Sequence, residues 1–178
     1  MKRFYTSLAR LETYLKQNKN TSTNVYRGTL FELQTLYSLE STAKMRLDHV
    51  GGRSDGGIDL RGSWLDNIQV IVQCKNVKEG CTPEHLRELI GTVSMIPSRN
   101  RKRTISIMAT HAQQYYTPDV LAHFKTCPIP LGLASITDIT LKSLMFNKPA
   151  QSLVKDRVSI STVFDALGSE TLQVDISE

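Results

Sequence analysis

Three polar residues stand in or beside apolar, strand-like runs: Asp59 within GGIDLRG, and Gln73 and Lys75 at the end of IQVIVQCK. Alternate residues of a strand share a face. Gln73 and Lys75 are therefore expected to point the same way, with Cys74 directed into the opposite, apolar layer. Ile58 and Leu60 are expected to point away from Asp59. If the two strands pair, a carboxylate, an amide oxygen and an ammonium meet on one patch. Such a set suits Mg²⁺-assisted hydrolysis of a phosphodiester. Mg²⁺ takes hard oxygen ligands and keeps several waters. A bound metal polarises the phosphoryl group, and a lysine can orient the attacking water or offset the charge that grows on phosphate.

The rest of the chain is compatible with a polyanionic partner. The 178 residues carry a formal net charge of +5 and a pI of about 9.2, which favours nucleic acid only modestly. Lys2, Arg3, Arg10, Lys16, Lys19 and Arg27 make the beginning basic, and Arg99, Arg101, Lys102 and Arg103 form a second cluster. That cluster reads equally as a phosphate contact or a solvated face. The end is acidic, with Asp165, Glu170, Asp175 and Glu178, and is expected to be loose. No run approaches the roughly 20 apolar residues that span a bilayer, so no membrane insertion is expected. Cys74, Cys81 and Cys127 form no CxxC pair, and the four histidines show no metal-ligand spacing. A reducing compartment is the simpler reading.

Hydrophobic periodicity supplies the elements that must position the three residues. Leu30, Leu33, Leu36 and Tyr37 predict a helix from Val25 to Leu39, capped by Asn24, with Glu32 toward the edge of its apolar face. Strands are expected at Met45–Val50, Gly57–Gly62 and Ile68–Cys74. Thr82-Pro83 opens a helix whose stripe is Leu86, Leu89, Ile90 and Val93, and Pro97 ends it. A strand at Thr104–Ala109, a helix after Thr117-Pro118, a strand at Ile129–Ser135 and a short helix at Thr137–Phe146 follow. Val158–Ile160 reads as an edge strand. The order predicts an α/β fold. It has a mixed sheet, antiparallel through its first three strands and parallel after them, with helices on both faces.

The passages GGRSDGGIDLRGSW, VIVQCKN and LRELIG resemble the Mrr-like branch of the PD-(D/E)xK restriction-endonuclease superfamily, over residues 25–140. That resemblance implies a restriction-endonuclease-like mixed β-sheet core. It implies an Mg²⁺- or Mn²⁺-dependent endodeoxyribonuclease with Asp59, Gln73 and Glu32 as metal-binding residues and Lys75 as the catalytic lysine. Gln73 stands where other branches have an acid. Asp55 either binds a second metal or holds the turn by an Asx-type hydrogen bond. Arg53, Arg61, Arg99, Arg101, Lys102 and Arg103 would contact DNA, and cutting both strands suggests a homodimer. More narrowly, the order and the GxDLRGxW and QCKN motifs resemble the fungal mitochondrial proteins named "required for respiratory growth". That implies a mitochondrial location, with residues 1–24 as a basic presequence and linker, 25–150 as the nuclease domain and 151–178 as a C-terminal extension. The basic start reads equally as an ordinary first helix. Two other functions stay open: a nucleic-acid-binding module of the same fold without catalysis, and an assembly factor. Trp64 either stacks on a base or caps the sheet's edge.

Overall fold

A computed structural model describes residues 7–18, 20–50, 56–77, 80–111 and 116–177. Two helices, α1 (Ser7–Gln17) and α2 (Asn24–Ala43), precede the strands β1 (Arg46–His49), β2 (Leu60–Trp64) and β3 (Ile68–Lys75). Then come α3 (Pro83–Ser94), a short α4 (Ser98–Arg101), β4 (Thr104–His111), α5 (Pro118–Thr126), β5 (Leu131–Thr137) and β6 (Thr140–Phe146). The chain closes with α6 (Lys148–Val154), β7 (Val158–Phe164) and β8 (Glu170–Ile176). The first six strands form one sheet in sequence order. β1, β2 and β3 pair antiparallel, β3, β4 and β5 parallel, and β6 returns antiparallel. Gly51, Gly52, Arg53 and Asp55 lie outside the described residues.

β3 lies between two apolar layers. Val70 and Val72 join Leu36 and Leu39 of α2 in one. Ile71 joins Leu86 and Leu89 of α3 and Phe124 of α5 in the other. Alternation along one strand therefore feeds both cores, and each fully buried aliphatic side chain contributes about 2 kcal/mol of transfer free energy. The α/β fold with helices on both faces is as the periodicity predicts. The helix starts follow from their caps: Thr23 accepts from the Tyr26 N–H at 3.1 Å, and Thr117 from Val120 at 3.3 Å. Thr23, rather than Asn24, caps α2.

Three expectations fail. The segment Thr137–Phe146 is not a helix. It is a tight hairpin, with Asp138 in the left-handed region (φ 51°) at the turn before β6. Ser135 pairs with Ser143 and Ile136 with Leu141, so Lys142 is an extra residue of a bulge. The bulge puts buried Leu141 and Leu144 three apart, a spacing that imitates a helix. The acidic end is not loose either. β8 pairs with β7 along its whole length, and Val174 reaches the main core. The second strand starts at Leu60, not Gly57, and Ile58 points to the α3 layer while Leu60 points to the α2 layer. The strict alternation expected around Asp59 is therefore broken.

Trp64 is buried at 2% exposure, donates its indole N–H to the Ala43 carbonyl at 2.8 Å and packs near Phe146. It belongs to the core, beneath the edge of the sheet. Gly62 sits opposite Leu47 on β1, and a Cβ there would lie 1.9 Å from the Arg46 carbonyl oxygen. Backbone on both sides cannot yield as a side chain would. Gly62→Ala is expected to cost about 1–3 kcal/mol, read as a lower urea midpoint at unchanged slope.

Candidate active site

The backbone pairing of β2 with β3 ends where the chemistry was expected. The Asp59 N–H donates to the Val72 carbonyl at 2.9 Å, and the Asp59 carbonyl accepts from Val50 at 2.9 Å. The next donor on β3, the Cys74 N–H, meets the Asp59 carboxylate instead of a backbone carbonyl, at 2.6 Å. A charge-assisted bond of this length is stronger than the ladder bond it replaces. β4 continues alongside, with Gln73, Cys74 and Lys75 in register with Met108, Ala109 and Thr110. The last residues of β3 thus have a strand on one side and a carboxylate on the other.

Gln73 and Lys75 share the α3 face, as alternation predicts. Gln73 is 2% exposed, and its Oε1 has no hydrogen-bond partner among the described residues. An orphaned buried amide oxygen is costly, and it is a ready ligand. Gly57, at φ +82°, passes directly over this amide: a Cβ there would be 3.1 Å from Gln73 Nε2 and 3.5 Å from Glu88 Oε1. That glycine is required both by its backbone angle and by the contact.

Lys75 Nζ is 2.9 Å from Glu88 Oε2 on α3. The hydrogen bond from Lys75 holds the Glu88 carboxyl below its ordinary value, and Gln73 and His85 lower it further. Glu88 was not singled out from sequence, although it lies in the LRELIG segment. Its helix is fixed by the Thr82-Pro83 start and its apolar stripe. Glu88 and Thr92, four apart, both face the turn over Gln73, and Thr92 Oγ1 donates to the Gly56 carbonyl at 2.8 Å. A polar i,i+4 pair on a helix packed against a strand ending in lysine was the available signal.

Glu32 lies on the other side of the sheet. It is bound to His49 Nε2 at 2.5 Å, with both side chains about one-fifth exposed. It still acts on this end of β3: burial first, then Asp59, pushes the Cys74 thiol well above its ordinary value, and Glu32 adds to the effect. The four expected catalytic residues surround the end of β3 but do not share one face. Among the described residues, no group of three or more His, Cys, Asp or Glu stands ready to hold a metal. The Asp59 carboxylate, which accepts from the Cys74 N–H, and the Gln73 amide present oxygens beside the end of β3.

The expected cationic contacts separate in the same way. Arg61, Arg99, Lys102 and Arg103 are exposed. Arg101 is half-buried, and its Nη2 donates to the carbonyls of Ser94 and Ile96 at 2.7 and 3.0 Å. Through these two bonds it closes the end of α3.

The matches to known proteins bear on this geometry as a whole. Residues 23–67 and 65–166 match the family described as "Required for respiratory growth protein 7". The chain belongs to that family. It is 33% identical over 142 residues to an uncharacterized mitochondrial protein of Schizosaccharomyces pombe, covering 76% of this chain and 55% of that protein. It therefore spans little more than half of that relative's length. The respiratory growth protein 7 of Saccharomyces cerevisiae is 25% identical over 169 residues, 68% of this chain and 69% of its own. The Kluyveromyces lactis protein is 28% identical over 170 residues, 71% of each. All three relatives are named mitochondrial, in agreement with the expected location. No solved structure matches the chain.

The Lys75–Glu88 pair gives a direct prediction. Lys75→Met should raise the Glu88 titration midpoint toward the ordinary carboxylate value, followed by NMR of the Glu88 side chain; an unmoved midpoint would contradict the pairing. Because the folded value is depressed, the pair stabilises above the unfolded glutamate pKa and loses that contribution as pH falls through the folded one. The urea stabilities of the wild type and Glu88→Gln should accordingly converge on acidification.

Proposed function

We propose that this chain is a metal-dependent nuclease of the PD-(D/E)xK type, in the Mrr-like branch, acting on DNA in mitochondrial maintenance or respiratory growth. The observation that carries the proposal is the end of β3. There Asp59 replaces a ladder carbonyl, the Gln73 amide oxygen is buried without a partner, and Lys75 extends from the same face as Gln73. The donor set fits a hard divalent cation, because an unpartnered amide oxygen and a carboxylate are the ligand types such ions select. Asp59 and Gln73 would hold Mg²⁺ or Mn²⁺, which supplies Lewis-acid polarisation of the phosphoryl group. Glu32 would serve through its effect on the local charge, since His49 occupies its carboxylate.

The remaining work falls to this chain's own groups. Lys75 is held in place by Glu88, at the end of a strand that cannot shift without breaking its register with β4. From there the ammonium can orient a water and stabilise the charge growing on phosphate. The exposed Arg61, Arg99, Lys102 and Arg103 would hold the phosphates on either side. One observation favours a second reading, a nucleic-acid-binding module without catalysis. Lys75 and Glu32 are both engaged by partners within the chain, Glu88 and His49.

The deciding experiment is cleavage of labelled duplex, four-way junction, flap, single strand and RNA with Mg²⁺, Mn²⁺ or EDTA. Metal-dependent cutting that falls at least about 100-fold in Asp59→Ala and in Lys75→Ala supports the nuclease. Binding without cutting on every substrate moves the function to the second reading. In either case, neutralising Arg99, Lys102 and Arg103 together should weaken binding across sequences. It should also lower the slope of log affinity against log salt by roughly one per lost phosphate contact. An unchanged slope would make that cluster a solvated face.

A further inference from the structure

Beside the first half of β3, the α3 face of the sheet opens into a cleft of about 700 Å³. Its floor is aliphatic, formed by the buried Ile58 and Ile71, and the end of α3 supplies Met95 as a wall. Met95 is 87% exposed, so its side chain is available to whatever enters. The rim is polar, with Arg61 from β2, Gln69 from β3 and Asn100 from α4. Arg61 and Gln69 make no side-chain hydrogen bond to any described residue. Outside the rim stand the exposed Arg99, Lys102 and Arg103. Asp48, in register with Arg61, is the acidic neighbour on that strip.

We propose that this cleft receives an unpaired base of a nucleic-acid strand, whose phosphates lie on Arg61 and on the cations around α4. The proposal rests on the nucleic-acid part of the function above and not on cleavage. A phosphate needs donors on every side, and an aliphatic floor offers none. The flat face of a base fits such a floor, and the thioether of Met95 packs favourably on an aromatic ring. Gln69 and Asn100 each present an amide donor and acceptor, the pattern that matches the edge of a base. The surrounding positive charge complements the strand and excludes an acidic partner. In an intact duplex the bases are stacked and paired, so single strands, bulges and branch points are the forms that can fill the cleft.

The cleft is also placed to matter for the candidate active site. Gly56 lines it, and Gly57, the next residue, touches Gln73. Thr92 on the facing helix lines the cleft and ties down the Gly56 carbonyl.

The test is equilibrium binding of the full chain in EDTA to three labelled DNAs: a perfect duplex, the same duplex with one bulged 2-aminopurine, and the single strand carrying it. The bulged and single-stranded probes should bind roughly tenfold or more tighter than the duplex, with 2-aminopurine emission changing on binding. Met95→Ser and Gln69→Ala, both at exposed positions, should reduce that preference toward unity and leave duplex binding unchanged. Arg61→Ala should weaken all three probes. Equal affinity for the bulged and perfect duplexes would overturn the proposal, as would a preference that survives both cleft variants. Capture of free adenosine monophosphate as tightly as the strand would overturn it too. A base preference without cleavage of any substrate would sustain the cleft and remove the nuclease. Cleavage with no base preference would do the reverse.

Discussion

The site depends on a substitution in the hydrogen-bond ladder: a side-chain carboxylate takes the N–H of Cys74 where a backbone carbonyl would ordinarily stand. A strand that loses its neighbour exposes an N–H to water or leaves it unsatisfied. Asp59 removes that cost and allows β2 to part from β3 three residues before β3 ends. The backbone twist between Ile58 and Leu60, which sends these two side chains into different cores, is the local consequence. It also brings a negative charge to the edge of the sheet, between the α2 and α3 layers.

Around that point the electrostatics are arranged in pairs. Lys75 is paired with Glu88 on one face, and Glu32 is hydrogen-bonded to His49 on the other. The Cys74 thiol is pushed up by burial first, then by the Asp59 and Glu32 carboxylates, so it stays neutral and unreactive. The Gln73 amide oxygen is buried and, among the described residues, without a hydrogen-bond partner. Glu88 and Gly57 crowd the nitrogen side of the same amide.

Much of the frame was legible in the sequence because it follows from short-range rules. The β-branched run Ile68–Cys74, the Thr-Pro helix starts and the apolar stripe of α3 each specify an element without long-range information. The placement of Gln73 and Lys75 on one face followed from period two alone. What failed did so where a local irregularity altered the period. Lys142 made a bulge that imitated helical spacing, and the twist at Asp59 cancelled the alternation expected of Ile58 and Leu60. Glu88 was missed because its partner is 13 residues away on another element, and sequence spacing says nothing about such contacts. The pairing of Glu32 with His49, across 17 residues, was hidden for the same reason. Arg101 looked like its neighbours in a basic run, yet its guanidinium bonds the end of α3.

A nuclease centre at the end of β3 must bind a divalent cation there. The direct measurement is an NMR titration of the full chain with Mg²⁺, following the side-chain amide of Gln73 and the backbone amide of Cys74. Saturable shifts at both, absent in Asp59→Asn, are the predicted result. Shifts confined to other carboxylates, with Gln73 and Cys74 unmoved at saturation, would contradict it.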